Sequence, residues 1–210
     1  MADEPNLDAA YAVQTPEDNL KLYEKWAETY DADFVQATTY RFPKLVTQSY
    51  VDAGGRSPCL DVGCGTGALG EHFPEGAVVD GLDLSPEMLA VAHRKKLYRN
   101  LIEADLKEPL DLGDETYSGL VSSGTFTHGH VGPEALPELV RVLAPGAVAI
   151  ITVRPEVWVD LDFDQTFEAL QANGYVSAPE ISEERVYADS TRAPEGQDED
   201  VGLIVTFRRL

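Results

Sequence analysis

Cysteine is scarce in this 210-residue chain, which has only Cys59 and Cys64. Two thiols make no disulfide framework. The extended residues between them, at ~3.3 Å each, also hold them farther apart than the about 7 Å between Cα atoms that a bridge allows. Basic residues are few as well, 16 against 37 acidic ones, for a formal net charge of -21. Nucleic acid and anionic membrane surfaces both demand a positive footprint, so this balance argues against either as the main partner. Small molecules or cationic groups fit it better, and acid spread over a solvated surface also serves solubility. No apolar run approaches the ~18 residues of a membrane helix. The start, Met1-Ala2-Asp3-Glu4-Pro5, lacks the basic and apolar regions of a signal peptide, so a cytoplasmic location is expected. No internal repeat is visible, and the length suits one domain that buries about 70% of its extended surface.

What is present is a regular succession of elements. Residues 1–14 are polar and read as a mobile segment, with a single domain expected over residues 15–210. Thr15-Pro16-Glu17-Asp18 supplies an N-cap, a first-turn proline and early acids, predicting a helix to about Glu28. Tyr23, Trp26 and Tyr30 share a face by their spacing, and a second helix is expected from Lys44 to Val51. These helices, within residues 15–55, cover the core that follows in residues 56–210. Strands are predicted at Cys59–Val62, Val78–Asp83, Asn100–Glu103, Gly119–Ser123 and Ala147–Val153. Between them helices are predicted over Ala68–Phe73, from Ser85-Pro86-Glu87 to Leu97, and from Gly132-Pro133-Glu134 to Leu143. The basic cluster His93-Arg94-Lys95-Lys96 is read as answering a negative helix end. A helix from Asp164 to Asn173 and two strands, Ile181–Ala188 and Val201–Arg208, close the chain. Alternation of strand and helix means a mainly parallel sheet covered on both faces, and the last two strands suggest an antiparallel hairpin at its edge.

In such a sheet ligands bind beyond the carboxyl ends of the strands, where strand order reverses. Strand one ends there in Asp61-Val62-Gly63-Cys64-Gly65-Thr66-Gly67, whose glycines let a ligand approach the backbone. Strand two ends in Asp83-Leu84, strand three in Glu103-Ala104-Asp105-Leu106, strand four in Ser122-Ser123. A carboxylate such as Asp83 can accept from both hydroxyls of a ribose. Leu84 and Met88 can flank an adenine, and Asp105 can accept from its amine. Gly65-x-Gly67-x-x-Gly70 with Asp83 also matches the dinucleotide fingerprint, so an NAD-dependent oxidoreductase is an alternative. Against it stands Asp61, whose charge is placed where a pyrophosphate would lie. The same charge is favourable beside the ammonium and sulfonium of S-adenosylmethionine.

Leu60 to Gly67, Asp83 with Ser85-Pro86-Glu87-Met88-Leu89, Ala104-Asp105-Leu106 and Leu139 to Gly146 resemble the successive motifs of class I S-adenosylmethionine-dependent methyltransferases. Trp26 to Asp31 and Tyr40-Arg41-Phe42-Pro43 are similar to the methyltransferase-like proteins named after the Williams-Beuren region. Pro145-Gly146-Ala147 departs from the superfamily's usual second glycine, at a turn. The resemblance implies an α/β, Rossmann-like, doubly wound and mainly parallel sheet of seven strands, with the last strand inserted antiparallel. It implies S-adenosyl-L-methionine as cofactor, S-adenosyl-L-homocysteine as product, and an enzyme whose acceptor it leaves open. Carried over by position, Gly63 and Gly65 approach the methionine part and Asp61 its ammonium. Asp83 holds the ribose, Leu84 and Met88 the adenine faces, and Asp105 with Leu106 the adenine edge. Ser122 and Ser123 complete the cofactor side, and Tyr30 or Arg41 reaches the cofactor carboxylate. A surface salt bridge accounts for Arg41 equally well.

Methyl transfer from a sulfonium needs orientation first and a base only where the acceptor must lose a proton. His128 and His130 follow strand four, and either can serve, His128 being preferred; two histidines alone make no metal site. Tyr23, Trp26 and Phe126 are expected walls of an acceptor pocket, though core packing explains them as well. The expected acceptor is a small molecule, and the sequence does not give the oligomeric state. A cofactor-binding regulatory module without transfer activity is the second alternative.

Overall fold

The computed structural model describes residue 24 and residues 26–127, 131–194, 197 and 199–210. Seven strands lie in one sheet of order β3-β2-β1-β4-β5-β7-β6. They are β1 (Cys59–Val62), β2 (Val79–Asp83), β3 (Leu101–Glu103), β4 (Tyr117–Phe126), β5 (Leu143–Val153), β6 (Glu180–Arg185) and β7 (Val201–Arg208). Neighbours from β3 through β5 are parallel. β7 runs antiparallel between β5 and β6, so the chain has the expected Rossmann-like, mainly parallel architecture with its last strand inserted. Strand order reverses between β1 and β4, which places a crevice beyond their carboxyl ends.

Period-two alternation sends neighbouring residues to opposite layers. Leu60, Val62, Leu120, Ala149, Ile151 and Val205 pack in one core, while Cys59, Val121, Val148, Ile150 and Ile204 pack in the other. Helix α1 (Phe42–Asp52), with Pro43 in its first turn, closes the second layer through Val46 and Tyr50. Helix α2 (Pro86–Lys95) is capped by Ser85, whose hydroxyl accepts the Met88 N–H at 3.2 Å. It ends as its basic last turn meets Lys96 in the left-handed region, two residues before the predicted Leu97. Helices α3 (Leu136–Arg141), α4 (Pro155–Asp160) and α5 (Phe163–Ala172) contribute to the first layer, where Trp158 stacks on Phe163 and Phe167.

Several elements differ from the reading of the sequence: β5 begins at Leu143 rather than Ala147, β6 ends at Arg185 rather than Ala188, and the helix expected from Gly132 to Leu143 is a 3₁₀ turn, Pro133–Ala135, followed by α3. The helix expected over Ala68–Phe73 is one 3₁₀ turn, Gly70–His72. Gly70 is a poor helix residue, and Pro74 holds Phe73 extended at φ -66, ψ 144, which leaves too few residues to propagate a helix. Helix α4 was not anticipated, and β4 continues to Phe126 through an irregularity between Ser122 and Phe126. The helix expected to end at Glu28 falls mostly outside the described residues. After it, Asp31–Gln36 forms a π-helical turn. Trp26, Phe34, Phe42, Val186 and Tyr187 pack there in a third apolar cluster. Among the described residues no helix is long and apolar enough to cross a membrane.

Candidate functional site

The crevice at the reversal point is a cavity of about 1060 Å³, its open mouth included. Its floor is the turn after β1. Gly63, Gly65 and Gly67 have φ of +67, +51 and +90, which L side chains rarely adopt. A Cβ on Gly63 would strike the Thr125 hydroxyl at 2.0 Å, so this position serves packing. A Cβ on Gly65 would meet no atom within 4 Å, so here the missing side chain leaves room facing the cavity.

Two carboxylates stand beside this turn, Asp61 buried and Asp83 partly exposed to the cavity. Asp83, at the tip of β2, accepts the Gly65 N–H at 2.8 Å on one oxygen and the Ser85 N–H at 2.9 Å on the other. Each oxygen keeps a second lone pair for a ligand hydroxyl. Burial holds its carboxyl above the ordinary range, against the pull of the Ser85, Gly65 and Leu84 amides. Asp61, on β1, is 1% exposed. Burial pushes its carboxyl up to about 7, the Tyr98 hydroxyl donating at 2.7 Å opposes this, and the Asp83 charge adds to it. Two like charges in one desolvated wall favour a positively charged guest. Leu84, Met88 and Leu106 give the same end apolar surface, with Asp105 and Lys107 at its rim. Asp105 spends one oxygen on the Lys107 amide at 2.9 Å.

Among the described residues, the rest of the lining is uncharged. Tyr30, Val35, Tyr40 and Pro43 descend from the N-terminal segment to meet Ser123, Gly124 and Thr125 of β4, with Val131 nearby. Tyr40 and Ser123 share a hydrogen bond of 3.2 Å. The Gly124 N–H donates to the Thr152 hydroxyl at 2.9 Å and Thr125 donates to the Val62 carbonyl at 3.0 Å, so the irregular end of β4 is anchored on both sides.

The cover is fastened by charge. Asp31 accepts the Thr66 hydroxyl of the glycine turn at 2.5 Å and pairs with Lys95 of α2, which also meets Glu71 at 2.6 Å. Arg94 pairs with Glu28 at 2.8 Å. The basic cluster therefore holds the N-terminal segment in addition to closing its helix, a role the sequence reading had not given it.

Of the residues expected at the site, Tyr30, Asp61, Gly63, Gly65, Asp83, Leu84, Met88, Asp105, Leu106 and Ser123 line this one cavity. Ser122 does not: it is fully buried and donates to the Val62 carbonyl at 2.8 Å. Phe126 lies in the core edge-on to Phe163, and Trp26 packs in the third cluster against Tyr30 and Phe34. Arg41 turns away to the Glu184 carboxylate at 3.9 Å and the Arg185 carbonyl at 3.5 Å, the surface pairing that was its alternative. Tyr23, His128 and His130 lie outside the described residues. Sequence reasoning missed Thr125, Val35 and Tyr98. Tyr98 carries no motif signal, being one aromatic residue between a helix and a short strand.

The expected cofactor fits this wall on the structure's own terms, through an open Gly65, the buried Asp61, the partly buried Asp83 and an apolar flank. Comparison with known proteins gives the same direction. Residues 60–151 match the methyltransferase domain family. Methyltransferase-like protein 27 of Homo sapiens is 32% identical over 168 residues, 77% of this chain and 67% of that protein. A methyltransferase of Emericella nidulans is 29% identical over 180 residues, 76% of this chain and 59% of that protein. The fold is shared with a SAM-dependent methyltransferase of Thermotoga maritima at a TM-score of 0.60, 15% identity and coverage of 90% and 98%. The chain belongs to the class I S-adenosylmethionine-dependent methyltransferases.

Proposed function

We propose that this protein transfers a methyl group from S-adenosylmethionine to a small, uncharged acceptor. The observation that carries the reading is the Asp83 carboxylate, aimed by two backbone amides beside the open face of Gly65, with the buried Asp61 in the same wall. In this reading Asp83 accepts the ribose hydroxyls, Asp61 receives the ammonium, and Tyr30 reaches the carboxylate. Leu84 and Met88 pack on the adenine while Asp105 and Leu106 meet its edge. Bound there, S-adenosylmethionine supplies an already activated methyl that a nucleophile takes in a single in-line displacement. The chain's own task is to orient and to exclude water. Its cover supplies Tyr30, Val35, Tyr40 and Pro43 for the second purpose.

The acceptor is proposed to be small because the cavity is roofed, and uncharged because the Tyr40, Ser123 and Thr125 side offers hydroxyls and apolar surface without a described carboxylate or cation. A buried ion without a partner would be costly there. Where the acceptor must lose a proton, His128, close in sequence to Thr125, is the proposed base, with His130 second. Nucleic acid is not the proposed acceptor, given the charge of -21.

The direct test is calorimetric binding of S-adenosylhomocysteine to Asp83→Ala. Loss of charge-assisted hydrogen bonds at about 1.5–3 kcal/mol each predicts a fall of about 100-fold. Undiminished affinity overturns the cofactor site. Transfer to metabolite fractions, corrected for cofactor hydrolysis, distinguishes an enzyme from a silent binding module.

A further inference from the structure

The glycines of Gly65-x-Gly67-x-x-Gly70 are accounted for unevenly. Gly65 faces the cavity, but Gly67 and Gly70 face away from it, toward the ring of Tyr98. A Cβ at Gly70 would lie 2.7 Å from the Tyr98 hydroxyl, and one at Gly67 would lie 3.1 Å from the ring edge. A Cβ at Gly81 of β2 would first meet Cys64 Sγ at 2.8 Å and Leu101 Cδ2 at 2.9 Å, and then the same ring at 3.2 Å. Three positions without side chains thus form a slot for one tyrosine. At the end of that slot the phenol donates to Asp61 at 2.7 Å, and Asp61 lines the cavity.

We propose that Tyr98 is a positioning residue for the amino-acid end of the cofactor: its phenol holds the Asp61 carboxylate turned into the cavity wall, where it receives an ammonium group. The proposal rests on the cofactor reading above and adds to it a residue that does not itself line the cavity.

The charges around Asp61 fit this role. Asp83 of β2 faces it and disfavours its ionised form, as does burial. Cys64 of the glycine turn and Cys59 of β1 also feel it, but burial pushes both thiols well up, and they stay neutral. The Tyr98 hydroxyl is held well above its ordinary range, so it remains a donor at every pH of interest. Its hydrogen bond is the one named influence that lowers the Asp61 carboxyl, which otherwise stands at about 7. Without that donor the carboxyl moves higher and is more protonated at neutral pH.

The test compares two probes on the full chain between pH 5.5 and 8.5. S-Adenosylhomocysteine carries the ammonium throughout this range, while 5′-methylthioadenosine lacks the amino-acid end. For the wild type, affinity for S-adenosylhomocysteine should fall as pH drops through about 7, whereas methylthioadenosine should bind equally across the range. Tyr98→Phe should shift that midpoint to higher pH and weaken S-adenosylhomocysteine at pH 7 by about tenfold, the ordinary effect of removing a hydrogen bond to a charge. It should leave methylthioadenosine within twofold. Asp61→Asn, which keeps the shape, should abolish the pH dependence. An unmoved midpoint in Tyr98→Phe, or equal loss for both probes, overturns the positioning role and leaves Tyr98 as packing. A wild type that binds neither probe overturns the cofactor reading, and this proposal with it.

Discussion

Asp61 is an acid built into the inside of a sheet, and the energetics of that placement are separable from any ligand. Its folded carboxyl stands at about 7 against 3.8 for an ordinary aspartate, so the folded state holds the proton more tightly than the unfolded chain. The stability this provides is complete below about pH 4 and is lost as pH rises to about 7. Asp61→Asn, which keeps an acceptor for Tyr98 but cannot ionise, should therefore stabilise the ligand-free protein more in alkali than in acid. At 1.36 kcal/mol per unit, the gain in urea unfolding should be about 2–3 kcal/mol larger at pH 8 than at pH 5. A gain that does not change with pH would mean that the wild-type carboxyl titrates as if solvated. Asp61, Asp83 and Gly65 were legible because strand ends and glycine turns announce themselves in sequence. Ser122 was not, because a strand sends successive residues to opposite faces and only Ser123 of the pair lines the cavity. Phe126 was misplaced for a related reason, since the irregularity after Ser122 decides which way it points. Tyr98 was invisible because its meaning lies in glycines distant in sequence, whose slot forms only when β1, β2 and the glycine turn come together.

Among the elements, β1, β2, β3 and β7 were read to within a residue, because a sheet buried on both faces leaves continuous apolar runs bounded by turns, whereas β4, β5 and β6 depart from the expected bounds by two to four residues at one end or both. Short helical pieces were not, since one glycine or proline decides between a 3₁₀ turn and an α-helix. The N-terminal cover illustrates what composition hides: a basic cluster that satisfies its own helix end also carries the ion pairs that hold a neighbouring segment. Lys95 has a side chain 21% exposed, between Asp31 at 26% and Glu71 at 50%. Such partly solvated pairs are worth at most about 1 kcal/mol each. Lys95→Met should leave the sheet intact and loosen the cover. Amide exchange over Asp31–Gln36 should quicken about fivefold, the equivalent of ~1 kcal/mol, while exchange in β4 and β5 stays constant. Equal acceleration in both places would show that the cover and the core open together.

For the molecule as a whole the formal charge of -21 works against compactness, since like charges repel more strongly when folded. Raising salt from 50 to 500 mM shortens the reach of that repulsion to a few ångströms, and the melting temperature should rise by about 3–6 °C. A flat or falling melting temperature would show that the acids are already compensated. Salt should act oppositely on the cover, whose Glu28–Arg94 and Asp31–Lys95 pairs it weakens, so a stiffer core and a looser roof are expected in the same buffer. That roof has one further property. The stretch that ties Asp31 to the glycine turn also brings Tyr40 against Ser123 on the far side. Residues 30–43 are thus a single strap fastened to the glycine turn through Asp31 and to the end of β4 through Tyr40, so loosening either fastening should be felt at the other.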